Sequence, residues 1–133
     1  MNKFPSFLKL ASFFSLMIVV LILQSSCSKK STLPDPLEAG WKNNPVCEVV
    51  RETEATRVLK CTFAPGVGHE RHYHKPHIGY TLAGSRFSIK DTTGTREVDV
   101  ITGSSFINEG IVWHTVLNIG DSTAVFLIIE AKD

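Results

Sequence analysis

Hydrophobic and polar positions divide the chain into two regimes. Leu10 to Leu23 (LASFFSLMIVVLIL) is a predominantly apolar run without a charge. Lys3 and Lys9 lie ahead of or beside it, and Gln24, Ser25 and Ser26 follow it before Cys27. A basic end, a short apolar stretch and a small-residue boundary predict a secretory signal peptide over residues 1–26. A spanning helix needs about 20 apolar residues, so an uncleaved anchor helix is the competing reading. From Val46 onward the pattern becomes short alternating runs. Val46–Arg51, Arg57–Phe63, Ile78–Leu82, Arg86–Lys90, Arg96–Val100, Phe106–Ile107, Trp113–Leu117 and Ala124–Ile129 read as strands. Thr53–Thr56, Ala83–Gly84, Asp91–Thr95 and Gly103 read as turns between them. Short strands at regular spacing predict an all-β, antiparallel sandwich or barrel over residues 45–133, with no helix longer than one turn.

Between the two regimes, residues 27–44 carry Pro34, Pro36 and several small or charged residues, with no period of two or 3.6. They predict a tether. Length bounds the rest to one modest domain. The formal charge of +1 leaves no basic footprint for nucleic acid. Cleavage ahead of Cys27 removes Lys3 and Lys9, and the remainder is close to neutral.

Two groups of residues carry candidate chemistry. Cys47 and Cys61 stand at equal distances from Glu54, so a hairpin centred there sets them opposite each other. Secretion permits a disulfide; two small buried hydrophobes are the alternative. The other group is Gly66-Val67-Gly68-His69-Glu70-Arg71-His72-Tyr73-His74-Lys75-Pro76-His77, which holds four of the five histidines. The fifth is His114. Imidazole is the commonest protein metal ligand, and His72 and His74 share one face of any strand that carries them. His69 is expected in a surface loop. Glu70 is either a solvated loop carboxylate or an inward partner of the histidines. Asn118 is expected to bond a turn or strand end. Tyr80, Leu82, Phe87, Phe106, Trp113 and Phe126 are expected as barrel lining or core.

The histidine spacing resembles the cupin (RmlC-like) superfamily. Its first motif is matched by Gly66, His72, His74 and Gly84, and its second by Gly103, Gly110, His114 and Asn118. Glu109 and Ile111 replace a proline and a glycine of the second motif. The resemblance implies a double-stranded β-helix, the cupin jelly roll, with His72, His74 and His114 as ligands of a divalent metal ion. The family's fourth ligand is a glutamate. Counted from His74 its place falls on Ile78 or Gly79; counted from Gly84 it falls on His77. Two readings stay open: four histidines including His77, or three with coordination positions left for water or substrate. His77 is at an odd offset from His74, and only irregular backbone at Lys75-Pro76 would turn it inward. Nitrogen donors suit Fe, Zn, Ni or Cu. The resemblance also implies a small organic ligand and pairing as a homodimer. The activity is either binding alone or metal-dependent dioxygenation or isomerisation of a small organic molecule. Ser25-Ser26-Cys27 is similar to a bacterial lipobox, with Gln24 where leucine is preferred. That implies secretion across the inner membrane and a lipid anchor on Cys27.

Overall fold

The computed structural model describes residues 32–132. The expected signal peptide, Cys27 and the start of the tether lie outside them. The strands are β1 (Gly40–Trp41), β2 (Asn44–Pro45), β3 (Cys47–Glu52), β4 (Thr56–Phe63), β5 (Gly68–His74), β6 (His77–Ala83), β7 (Arg86–Asp91), β8 (Gly94–Asp99), β9 (Ser105–Asn108), β10 (Ile111–Asn118) and β11 (Ala124–Ala131). Beyond the small β1–β2 pair they form two antiparallel sheets. One runs β3-β4-β11-β6-β9 and the other β5-β10-β7-β8. The strand order is interleaved: β11 sits between β4 and β6, and β10 between β5 and β7.

Period-two alternation decides what faces the interior. Leu59, Cys61 and Phe63 of β4, Phe87 of β7, and Ala124, Phe126 and Ile128 of β11 form the core. Phe63, Phe87 and Phe126 meet edge to face, with centroids 5.6–5.9 Å apart. Each such contact adds about 0.5–1.5 kcal/mol beyond area burial. On β6 the inward positions are His77, Gly79 and Thr81. Tyr80 and Leu82, expected inside, therefore point outward and are 41% and 44% exposed. Trp113 is half-buried, under the Arg71 guanidinium at 4.1 Å from the ring centroid. Gly79 is required where it stands. A Cβ there would lie 2.0 Å from the Phe106 ring, which crosses the β6 backbone at that point.

Cys47 pairs directly with Cys61 across the β3–β4 ladder, and the two are joined by a disulfide. Past that pair the register slips between Val49 and Arg51, and Val49 is exposed on the edge strand rather than facing inward with Leu59. The stretch before β1 has no regular period, yet it packs on the domain. The Asp35 carboxylate accepts from the backbone N–H groups of Leu37 and Glu38, Pro36 is fully buried, and the Pro34 carbonyl accepts from Tyr73 N. Lys42 and Asn43 both take left-handed backbone in the two-residue turn from β1 to β2, the conformation such hairpins need.

Candidate metal centre

The site is built on β5, β6, β10 and β11. His72 and His74 sit at inward positions of β5, and His114 of β10 is the register partner of His72. Between His114 and Val116 the β10 strand advances two residues, while β5 advances three, from His72 to His69. That is a β-bulge at Glu70-Arg71, and both of those residues are exposed. The extra residue resets the parity of the strand. His69, expected on a surface loop, is instead buried inside, and its ring lies 3.8 Å from that of His72. Glu70 is solvent-facing, and its carboxylate accepts from Lys42 N at 3.0 Å.

Three ring nitrogens converge. His72 Nε2 lies 3.0 Å from His74 Nε2 and 3.0 Å from His114 Nε2. The three residues form a set whose donor atoms all lie within 4.8 Å of one another, and they can hold a metal ion. The opposite nitrogens explain why the His72–His74 contact is not an ordinary hydrogen bond. His72 Nδ1 is 2.6 Å from the Glu70 carbonyl oxygen, and His74 Nδ1 is 3.2 Å from Glu130 Oε1. A neutral imidazole has one N–H, and an Nδ1 beside an oxygen acceptor must carry it. The two Nε2 atoms then present lone pairs to each other, a contact that a shared cation resolves. Two nitrogens about 2.0–2.1 Å from one ion stand roughly 2.9–3.4 Å apart for bond angles from square to tetrahedral, so the spacing fits. For His72 and His114 protonation does not compete near neutral pH. Burial, reinforced by His69 and His114, drives the His72 pKa down to about 2. Burial, followed by the neighbouring histidines, drives that of His114 down to about 3.

A row of charges stands behind His74. Glu130 is buried, with Oε2 2.7 Å from Arg57 Nη2; Arg57 also pairs with Asp35 at 3.1 Å. Burial pushes the Glu130 carboxyl up, but hydrogen bonds from His74 and Arg57 outweigh it and hold the group ionised. Such a carboxylate fixes the tautomer of a ligating histidine and raises its basicity. Sequence reasoning missed Glu130. Its only signal was parity: it continues the inward series Ala124, Phe126, Ile128 on an otherwise apolar strand.

His77 does turn inward, because β6 begins at it immediately after Pro76. Its Nδ1 is 2.8 Å from the Lys75 carbonyl oxygen, so Nε2 is the acceptor and takes a hydrogen bond from Asn108 Nδ2 at 3.3 Å. Its lone pair is thus engaged, and His77 stands outside the three-residue set. Asn118 bonds the strand ends, as expected. It donates to the carbonyls of Phe63 and Ser122 and accepts from Ser85 Oγ and Gly120 N, tying the strand ends together. All five histidines line one cavity of about 300 Å³, together with Phe63, Phe87, Phe106, Phe126 and other apolar side chains.

No family model matches the chain. No curated protein matches it either. Solved structures do. A cupin domain from Bordetella pertussis Tohama I is 24% identical over 66% of this chain and 93% of its own length, with a TM-score of 0.62. A cupin superfamily protein from Desulfitobacterium hafniense DCB-2 is 12% identical over 65% and 76% respectively, with a TM-score of 0.51. Similarity at this level speaks to architecture, and it agrees with the interleaved antiparallel sheets and the inward histidines. The chain has the cupin fold, an all-β double-stranded β-helix whose cavity carries a histidine triad able to hold a metal ion.

Proposed function

We propose that the domain holds one divalent metal ion through Nε2 of His72, His74 and His114 and presents it to a small organic ligand in the cavity. The observation that carries this reading is the 3.0 Å approach of His72 Nε2 to His74 Nε2, with both Nδ1 atoms held by oxygen acceptors and His114 Nε2 converging on the same point. Nitrogen donors favour Fe, Zn, Ni or Cu. Three protein ligands leave positions for a ligand atom, and the ion would supply Lewis-acid character there. The chain's own residues do the rest: Glu130 and the Glu70 carbonyl orient the donors, and the aromatic walls exclude water. Metal analysis of the purified domain tests it, wild type beside His72→Ala, His114→Ala and His77→Ala. The first two variants are expected to lose the ion and His77→Ala to keep it. Retention in His72→Ala and His114→Ala would reject the site.

The alternative is a metal-dependent dioxygenase or isomerase. What supports it is the three-histidine set inside an apolar cavity, which would leave coordination positions open beside a bound ligand. Dioxygen uptake and product analysis with small thiols, phenols and organic acids separate the two readings.

We further infer that the chain is exported and anchored through a lipid on Cys27, and that two copies pair. A Cys27→Ser protein that still partitions into membranes would reject the anchor. The pairing is supported by an apolar row on the outer face of the larger sheet. Ile107, Ile78, Ile129 and Val58 are consecutive cross-strand partners there, and the first three are exposed.

A further inference from the structure

The stretch before β1, expected as a tether, touches the outer side of the metal centre at three points. The Pro34 carbonyl accepts from Tyr73 N, the amide between His72 and His74. β5 is an edge strand, so that side of it has no neighbouring strand in the sheet. The Asp35 carboxylate accepts from Arg57 Nη1 and Nη2 at 3.1 Å. Arg57 in turn bonds Glu130, which holds His74 Nδ1. Backbone groups of Pro36 and Ala39 hydrogen-bond the His69 ring, which lies 3.8 Å from that of His72. Each contact falls on a group that abuts or orients His72 or His74.

The segment has little else to hold it. It is a tight turn made by Asp35, whose Oδ1 accepts from Leu37 N and Glu38 N and whose backbone oxygen accepts from Ala39 N. Among residues 33–39 only Pro36 and Ala39 are buried. Its downstream end is pinned. The Trp41 ring covers Gly68 so closely that a Cβ there would lie 2.7 Å from it, and Lys42 N donates to the Glu70 carboxylate. A short segment with few buried apolar contacts opens at a lower free-energy cost than the sheets it lies on. When docked, it holds the backbone and the outer partners of two histidines that an ion must also hold in place. An ion that fixes His72 and His74 therefore favours the docked segment, and by linkage the docked segment favours the ion to the same degree. We propose that residues 34–39 form a strap whose docking is coupled to metal binding at His72, His74 and His114. This rests on the reading that the three histidines hold a divalent ion.

Zinc is the probe, and its affinity is measured by chelator competition on the full chain, wild type beside Asp35→Ala and Ala39→Arg. Asp35→Ala removes the acceptor of the turn and the Arg57 contact. Ala39→Arg forces a long side chain into a buried position and leaves Asp35, Arg57 and Glu130 as they are. Both are expected to weaken zinc about 5- to 150-fold, the usual span of such a coupling. In the wild type, zinc should slow hydrogen exchange by a factor of the same order at two amides, beyond any slowing along the β7–β8 ladder. Tyr73 N reports the docking bond and Ala39 N reports the turn. A loss of affinity in Asp35→Ala alone makes Asp35 a member of the charge row and overturns the strap. Lower urea midpoints with unchanged zinc affinity overturn it too, and leave the segment a structural brace. In both cases zinc binding by the wild type keeps the metal reading. A wild type that takes up no zinc rejects that reading and the coupling with it. Should the variants fail to fold, the wild-type exchange decides. Selective slowing at Tyr73 and Ala39 supports the strap, and slowing shared equally with the β7–β8 ladder overturns it.

Discussion

Single residues at the site act through what holds their far side. Glu130 fixes His74, and Arg57 fixes Glu130. Arg57→Gln removes the cation between Asp35 and Glu130 and leaves a buried carboxylate free to rotate away from His74. Metal affinity measured by chelator competition is expected to fall about 10- to 100-fold, the usual cost of losing an outer partner. Arg57→Lys should recover part of it. Unchanged affinity in Arg57→Gln would mean that the row of charges serves stability alone. The buried histidines also set an acid limit. An unfolded histidine takes its proton near pH 6.5, whereas burial first, with neighbours adding or opposing, puts His69 at about 4 and His114 at about 3 in the fold. Between those values and 6.5 the unfolded chain binds more protons. Stability of the metal-free domain is therefore complete above about pH 6.5 and declines as pH falls toward the folded values. Urea titrations at pH 7.5, 6.0 and 5.0 should show a falling midpoint. A midpoint flat from 7.5 to 5.0 would contradict the buried, neutral state of these rings.

At the scale of elements, register irregularities decide what reaches the cavity. The bulge in β5 turns His69 inward and aims the Glu70 carbonyl at His72 Nδ1. Spacing along the sequence reveals His72 and His74 because they lie two apart on uninterrupted strand. It cannot reveal His69, since a bulge depends on the pairing with β10, forty residues downstream. β6 behaves similarly. Its parity follows from pairing with β11 and β9, which sends Tyr80 and Leu82 outward and places Gly79 beneath Phe106. Gly79→Val should push the Phe106 ring toward the cavity and cost roughly 1–3 kcal/mol by overpacking, read from thermal or urea denaturation. The β3–β4 hairpin carries the disulfide. Removing it in a Cys47→Ala/Cys61→Ala double variant should destabilise the domain by about 2–4 kcal/mol, a figure set by the entropy of the loop it closes. A loss below 1 kcal/mol would show that the direct β3–β4 ladder suffices.

For the whole molecule, the two sheets bury their phenylalanines and histidines against each other and leave an apolar row on the outer face. If two copies pair across that row, Ile78→Lys should shift sedimentation toward the monomer while metal content and fold are unchanged. Ile78 is well placed for this test because its side chain points away from the cavity, opposite in parity to His77. An unaltered dimer in Ile78→Lys would move the contact to another surface, such as the edge strand β3.

Alternation and turn residues were enough for the all-β class, the antiparallel arrangement and the opposition of Cys47 and Cys61, and the resemblance in motif spacing named the three histidines able to share an ion. These are local or periodic properties, carried by alternation, turn residues and the spacing between motifs. Packing of the strands set the rest. It brought Glu130 and Arg57 behind His74 from opposite ends of the domain, and engaged the His77 lone pair with Asn108. Against expectation it also turned His69 inward, and folded the stretch around Pro36 onto the domain. Each of these depends on which strand lies beside which and where the ladder slips. Those choices are made by the free energy of the packed whole, and no single segment contains them.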